Sequence, residues 1–346
     1  MSHVAERSAP PQPDAAQHLL QLATGYMVSA ALQSACRLGV ADHLAKGPLP
    51  IADLAKAAGA NEDALYRILR ALSMLGVFVE TAPRTFGLTP AGELLRADHP
   101  RSVRNLVMFM SDPFHFRVYG EMLSAAKTGA PAGERVAGMP LFEFFEKHPE
   151  QAKEFNDAMT TFSASVAQAM LKAYDFSGID TLVDVAGGHG MILGSILRQY
   201  PKMRGILFDL EHVVSGATAL DELGVRDRVK TASGDFFKAV PAGGDAYIMK
   251  HIIHDWDDER AALILKNIRT ALEGKPHGKV ILLEAVLRPG NEPDLGKVMD
   301  LEMLVLPGGR ERTADDFKAL FKRAGFELTS ITPTHSPVCV IEATVQ

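Results

Sequence analysis

The spacing of apolar residues changes character several times along the chain. The opening MSHVAERSAPPQPDAAQ is polar and proline-rich, and residues 1–16 read as a disordered tail. HLLQLATGYMVSAALQSACRLGVADHL then repeats apolar residues at helical spacing, which predicts one long helix or a pair, interrupted at Leu38-Gly39-Val40. Downstream, Ile51, Leu54 and Ala55 mark a short helix that Gly59 ends as a left-handed cap. Asn61 is placed to cap the next helix, with Glu62 and Asp63 in its first turn and Leu65, Ile68, Leu69, Leu72 and Leu75 along it. GVFVET, a turn around Pro83 and RTFGLT predict a β-hairpin. Helix, turn, helix and hairpin wing together make a winged-helix module within residues 17–102.

Residues 103–176 read as linking helices, chiefly FHFRVYGEMLSAAKTG and PEQAKEFNDAMTTFSASVAQAMLKAY. Phe155, Met159, Phe162 and Val166 form a helical stripe. Such stripes usually face a core, but this excess of Phe and Met also suits the wall of a pocket for a flat apolar ligand. From residue 177 to 346 the rhythm becomes strand and helix in alternation. TLVDV, RGILFDL, RVKTASGDFF, DAYIMKHII and GKVILLEAVL are the strands, with MILGSILRQYP, HVVSGATAL and DDERAALILKNIRTAL as helices. That order predicts an α/β domain, a mostly parallel sheet covered on both faces. The final pair of strands, split only by a short turn near Pro333, is expected to run antiparallel.

Composition narrows the function classes. The 346 residues are 47% hydrophobic and 23% charged, as in a folded globular protein. A net charge of −6 argues against nucleic acid or anionic membrane as partner. The winged-helix region carries seven Lys/Arg against seven Asp/Glu between residues 31 and 100, and its second helix is mostly apolar. Without an excess of positive charge, phosphate neutralisation is poor, so a packing or dimerisation module is the better reading than a DNA reader. Cys36 and Cys339 form no C-x-x-C, which fits a reducing compartment. No stretch reaches about 18 uninterrupted apolar residues, so no transmembrane helix is expected and the cytoplasm is the default location.

The strand-to-helix turn VDVAGGHGMILGSI places Gly187, Gly188, Gly190 and Gly194 where a ligand approaches backbone. Leu193 stands where a dinucleotide fingerprint needs its third small residue. Asp184 before the turn suits a ligand with an ammonium group better than a pyrophosphate. Asp209 ends the second strand, where such sheets grip a ribose diol. Asp235, in GDFF, is placed to accept from an adenine amino group, with Phe236 beside the ring. A nucleoside with an amino-acid tail, S-adenosylmethionine, fits this set. Each carboxylate taken singly is as well explained as a loop or cap residue; three at successive strand ends weaken that explanation.

KHIIHDWDDE follows the fourth strand. Asp257, Asp258 and Glu259 open a helix, where negative charge is favourable, and Trp256 reads as packing. His254 and Asp255 remain for chemistry. A phenol with a pKa near about 10 must lose its proton as its oxygen attacks a sulfonium methyl, and a histidine is suited to take it. A carboxylate on the far ring nitrogen fixes the tautomer, and Glu284 and Glu311 are both candidates. A metal centre is disfavoured, because His251 and His254, three apart on a strand, are expected on opposite faces.

The motifs LVDVAGGHG, FDLEHV, GDFF, MKHIIHDWDDE and GGRERT, in this order and spacing, resemble the S-adenosylmethionine-dependent O-methyltransferases of the caffeic acid, flavonoid and acetylserotonin type, over nearly the whole chain from about residue 18. The resemblance implies a Rossmann-like methyltransferase sheet and an N-terminal winged-helix domain that makes a homodimer. It implies S-adenosylmethionine as donor, released as S-adenosylhomocysteine, with no metal. Gly187, Asp209, Asp235, Phe236 and Lys250 correspond to its cofactor-binding residues, and Asp184, Gly188 and Leu210 are candidates beside them. His254 corresponds to the base, with Glu284, Glu311 and Asp255 around it. Phe155, Met159, Phe162 and Leu304 correspond to the acceptor pocket. Phe162 replaces a histidine of the plant phenylpropanoid enzymes, and Leu304, Val305 and Leu306 replace polar residues of their methoxyphenol site. These departures point to an apolar, aromatic acceptor that is not a lignin precursor. Methyl transfer to carbon or nitrogen, decarboxylation or hydroxylation on the same scaffold, a ligand-responsive regulator and a non-catalytic dimer are the alternatives.

Overall fold

The computed structural model describes residues 14–346. The expected tail falls largely outside them, and within them Ala15 and Ala16 already belong to the first helix, Ala15–Ala23. The chain divides into two units after Asp112.

In the first unit the long apolar segment is a helix pair broken at Thr24, Ala15–Ala23 and Gly25–Arg37, followed by Val40–His43 behind a left-handed Gly39. Ile51–Ala58 ends at left-handed Gly59. Glu62–Met74 is capped by Asn61, whose side chain accepts from the Ala64 amide at 3.0 Å. Phe78–Ala82 and Thr85–Leu88 form the antiparallel wing, to which Leu49–Pro50 adds a third short strand. Leu54, Leu69, Leu72 and Phe86 are fully buried between helices and wing. Arg104–Met110, expected among the linking helices, belongs to this unit, where Val103, Val107 and Met108 pack on its core. Leu19, Leu20, Leu22, Tyr26 and Met27 remain exposed on the first two helices.

The second unit is built on a seven-stranded sheet. Its strands are β1 (Thr181–Val185), β2 (Arg204–Asp209), β3 (Val229–Ser233), β4 (Ala246–Lys250), β5 (Lys279–Glu284), β6 (Phe326–Pro333) and β7 (Cys339–Val345). Their order across the sheet is β6-β7-β5-β4-β1-β2-β3, and β7 alone runs antiparallel to its neighbours. Helices cover both faces, so the central strands are apolar on both sides: Leu182, Val183, Ile248, Met249, Ile281 and Leu282 are all fully buried. Pro149–Ala173 and Met191–Gln199 close one face, and Asp258–Ala271 with Ala314–Arg323 close the other. Among the described residues, no helix is long and apolar enough to cross a membrane.

Several predicted elements are shorter than their sequence pattern. HVVSGATAL gives two one-turn pieces, Glu211–Val214 and Ala219–Glu222, because Ser215, Gly216 and Thr218 favour turns over helix. FHFRVYGEMLSAAKTG splits into Pro113–Gly120 and Met122–Thr128. The strand expected to run through HII stops at Lys250. His251 takes a left-handed backbone, φ 52°, and Ile253–Asp255 coil into a 3-10 turn. GKVILLEAVL stops at Glu284, and Val286–Leu287 pair instead, in parallel, with Arg312–Thr313.

Arg312, 1% exposed, fixes that 3-10 turn from behind. Its guanidinium donates to the carbonyls of Ile253 and Trp256, each at 2.9 Å, and to Asp258 at 2.7 Å. Truncation strands two carbonyls away from water. Arg312→Met is therefore expected to lose on the order of 2–4 kcal/mol in urea unfolding; an unchanged midpoint would contradict this role.

Candidate active site

The carboxyl ends of β1, β2, β3, β4 and β5 meet at one edge of the sheet, where open α/β folds bind ligands. After β1 the chain turns through Ala186 at φ 56°, Gly188 at φ 58° and Gly190 at φ 81° into Met191–Gln199. Gly187 has no room for a side chain: a β-carbon would lie 2.5 Å from Leu207 and 2.6 Å from the Asp184 carboxyl. The carboxylate of Asp209 accepts from the amides of Gly188 at 2.8 Å and Leu210 at 2.7 Å, which ties β2 to the glycine turn. Asp184 lies beneath the turn, 1% exposed, with Oδ2 unpartnered. Burial pushes its carboxyl up to about 7. A buried carboxylate with one unpartnered oxygen beside a glycine cradle fits the cationic, amino-acid end of S-adenosylmethionine, and Asp209 keeps lone pairs for a diol.

A cavity of about 290 Å³ opens beside this turn. Its wall brings together many of the residues singled out from the sequence: Gly187, Gly188, Asp209, Leu210, Asp235, Phe236, Lys250 and Asp255 from the sheet edge, and Phe155 and Met159 from Pro149–Ala173. That helix is tied to the glycine turn by Thr160, whose hydroxyl is 3.2 Å from Nδ1 of His189. Burial lowers Lys250 to about 8, although Glu284, Asp255 and Asp184 oppose the shift. Trp256 is packed against Phe142, Phe236 and Phe237, as expected, yet also lines the cavity. Two expected acceptor residues are not on this wall. Phe162 packs instead at a tilt against the His251 ring, with centroids 5.2 Å apart. Leu304 packs in a separate apolar cluster with Phe114, Val118 and Leu306.

His254 is buried one layer behind the wall. Its Nδ1 is 2.8 Å from Glu311 Oε1 and 3.8 Å from Glu284 Oε2. Its Nε2 is 3.5 Å from Asp255 Oδ1. The two candidate carboxylates therefore differ. Glu311 bonds the ring, whereas Glu284 Oε1 accepts from the amides of Ile252 and Ile253 at 3.1 and 2.9 Å and holds the turn. Burial pushes Glu311 up to about 8, reinforced by the charges of Asp300 and Asp294. Burial likewise raises Asp255 to about 7 and raises Glu284.

The expectation that His251 and His254 face apart is wrong. The strand ends one residue before His251, and the left-handed step folds the two rings together, with Nδ1 atoms 3.2 Å apart. His251, His254 and Glu284 even offer ligand atoms within 4.8 Å of one another. A cation bound there would displace the His254–Glu311 hydrogen bond, so the arrangement serves proton chemistry better than coordination. His251 lines the cavity. Sequence reasoning missed it, along with Gly309 and Arg312. The glycines of PGGRERT were the available signal for Gly309.

The family model described as the O-methyltransferase domain matches residues 119–327, and the O-methyltransferase dimerisation domain matches residues 20–98. The phenazine O-methyltransferase PhzM of Lysobacter antibioticus is 45% identical over 326 residues, covering 94% of this chain and 95% of that protein. The crystal structure of LaPhzM superposes with a TM-score of 0.92 at 43% identity, over 96% of this chain and all of that one (100%). The O-methyltransferase NcsB1 from neocarzinostatin biosynthesis, solved with S-adenosylmethionine and 2-hydroxy-5-methyl naphthoic acid, gives a TM-score of 0.79 at 31% identity, over 97% and 100% of the two chains.

Gly309 sets the distance between Glu311 and the histidine. A β-carbon there would lie 2.0 Å from the His254 carbonyl oxygen, while the next amide, Arg310, donates to that same oxygen at 2.8 Å. Gly309→Ala is expected to push the loop off the turn and lower kcat by at least about tenfold while the protein stays folded by circular dichroism. Wild-type turnover in that variant would show that the contact does not position Glu311.

Proposed function

The chain belongs to the O-methyltransferase family, uses S-adenosylmethionine as methyl donor, and we propose that it methylates a hydroxyl of a small, planar aromatic acceptor with His254 as general base. The His254–Glu311 hydrogen bond, at the sheet edge beside the glycine-turn cavity, carries this reading. With Glu311 ionised, Nδ1 holds the ring proton and the lone pair of Nε2 is free. The desolvated carboxylate gains when its partner becomes an imidazolium, so taking the acceptor's proton is favoured there. The acceptor oxygen forms a bond to the methyl carbon as the S–CH3 bond breaks, its proton passes to Nε2, and the sulfonium leaves as a neutral thioether. Lys250 on the cavity wall and Asp184 beneath the glycine turn are assigned to the charged end of the donor, Asp209 to its ribose, and Asp235 and Phe236 to its base. Phe155 and Met159 give the acceptor an apolar, polarisable wall. Much of the rate comes from placing two reactants together, because the donor is already activated. Residues 20–98 are proposed to join two copies of the chain, in keeping with the domain they match and with the exposed Leu19, Leu20, Leu22 and Tyr26 beside and within it.

Incubation with S-adenosylmethionine and a panel of hydroxyphenazines, hydroxyquinones, catechols and flavonoids, read by mass spectrometry, is expected to yield a methyl ether of at least one fused-ring phenol. His254→Ala is expected to lower kcat by roughly 10²–10⁴-fold with donor affinity by calorimetry unchanged within about threefold. Joint loss of both would make the histidine structural.

The Glu311 carboxyl, raised to about 8, gives a pH test. Below that value the carboxyl takes up a proton and donates it towards Nδ1, which forces the ring proton onto Nε2 and removes the base. Turnover should therefore fall as pH drops from 9 to 6, with a limb near 8, and Glu311→Gln should abolish the limb. A flat profile in the wild-type protein would exclude this proton placement.

A further inference from the structure

We infer that His251 sets acceptor specificity: its Nε2–H donates to a heteroatom flanking the hydroxyl that is methylated. This rests on the proposed O-methylation and narrows the acceptor to planar rings whose reacting hydroxyl has a ring nitrogen, carbonyl oxygen or carboxylate ortho or peri to it.

Four observations meet at this residue. Its backbone is left-handed, φ 52°, a conformation that a β-carbon disfavours and that tends to persist where function requires it. The residue lines the cavity while only 9% of it is exposed. Its Nδ1 is taken up beside His254 Nδ1 at 3.2 Å, and its Nε2 has no hydrogen-bond partner. Buried polar atoms without partners are rare in native proteins.

The tautomer follows from the neighbours. If the His254 Nδ1 proton points to Glu311, it is also within reach of His251 Nδ1, which then accepts. The single proton of a neutral His251 ring is left on Nε2 as a donor. Burial, with the charges of His254 and Lys250, holds His251 well below the ordinary histidine pKa, so it stays neutral and does not compete as a base. The two imidazole rings meet edge to face, with centroids 4.5 Å apart. Phe162 packs at a tilt against the His251 ring.

The test compares 1-hydroxyphenazine with 1-hydroxyanthracene, which differ by a nitrogen or a C–H beside the hydroxyl. Affinity is measured on the protein loaded with S-adenosylhomocysteine, and kcat/KM is measured with the methyl donor. The wild-type protein should bind the phenazine at least about tenfold more tightly. His251→Phe keeps a ring against Phe162 and should bring that ratio close to one, while His251→Gln, which retains an N–H donor, should restore part of it. Equal wild-type affinities, a ratio preserved in His251→Phe, or a fall in kcat on both acceptors as deep as that of His254→Ala would each overturn the assignment. The binding arm is independent of methyl transfer: a tenfold preference that His251→Phe erases, without any methylated product, would support His251 and count against the proposed reaction.

Discussion

The hydrogen bond from His254 to Glu311 is the constraint around which this catalytic edge is arranged. It is buried and joins residues 57 positions apart in sequence. A bond of that kind forms only if both partners arrive pre-positioned, because an unpaired carboxylate or imidazole is costly out of water. Much of the surrounding structure meets that condition. Glu284 accepts the two amides that open the turn, Arg312 ties the carbonyls that close it, and Gly309 lets the opposing loop lie directly against it. The two-residue ladder between Val286–Leu287 and Arg312–Thr313 aligns the strand following Glu311 with the end of the one following Glu284.

The same compactness creates an electrostatic load. Asp184, Asp255, Glu284 and Glu311 all sit where burial opposes their ionisation, and Lys250 sits where burial opposes its protonation. A fold selected for stability alone would avoid such a cluster. Its concentration along one sheet edge marks that edge as the candidate functional site. The unpartnered oxygens of Asp184, Glu284 and Glu311 lie in this cluster as well.

The proposed donor and acceptor regions come from elements of different kind. The donor side is backbone geometry: a left-handed glycine turn and strand-end carboxylates, held by the register of β1, β2 and β3. The acceptor side is side-chain volume from the helix Pro149–Ala173, pinned to that turn through Thr160 and His189. The same helix also packs on the sheet, through Val166, Ala167 and Met170.

Local rules explain what was readable from the sequence. The parallel sheet, the Gly59 and Asn61 caps, the wing and the antiparallel final strand follow from periodicity and turn chemistry, which act over a few residues. The glycine turn and its carboxylates were legible because their position at strand ends is set by the same local pattern. His251 was not. Its sequence neighbours continue a strand, and only the amides captured by Glu284, from another strand, bend the chain left-handed and bring the two histidines together. The choice of Glu311 over Glu284 as the ring's partner, and the withdrawal of Phe162 and Leu304 from the cavity wall, likewise depend on contacts between distant segments. The sequence by itself determined the order of the main elements and which sheet edge gathers the candidate residues, because those depend on neighbours along the chain; the tertiary structure alone decided where several elements stop and which side chains face one another across that edge, because that depends on packing between segments that no local pattern encodes.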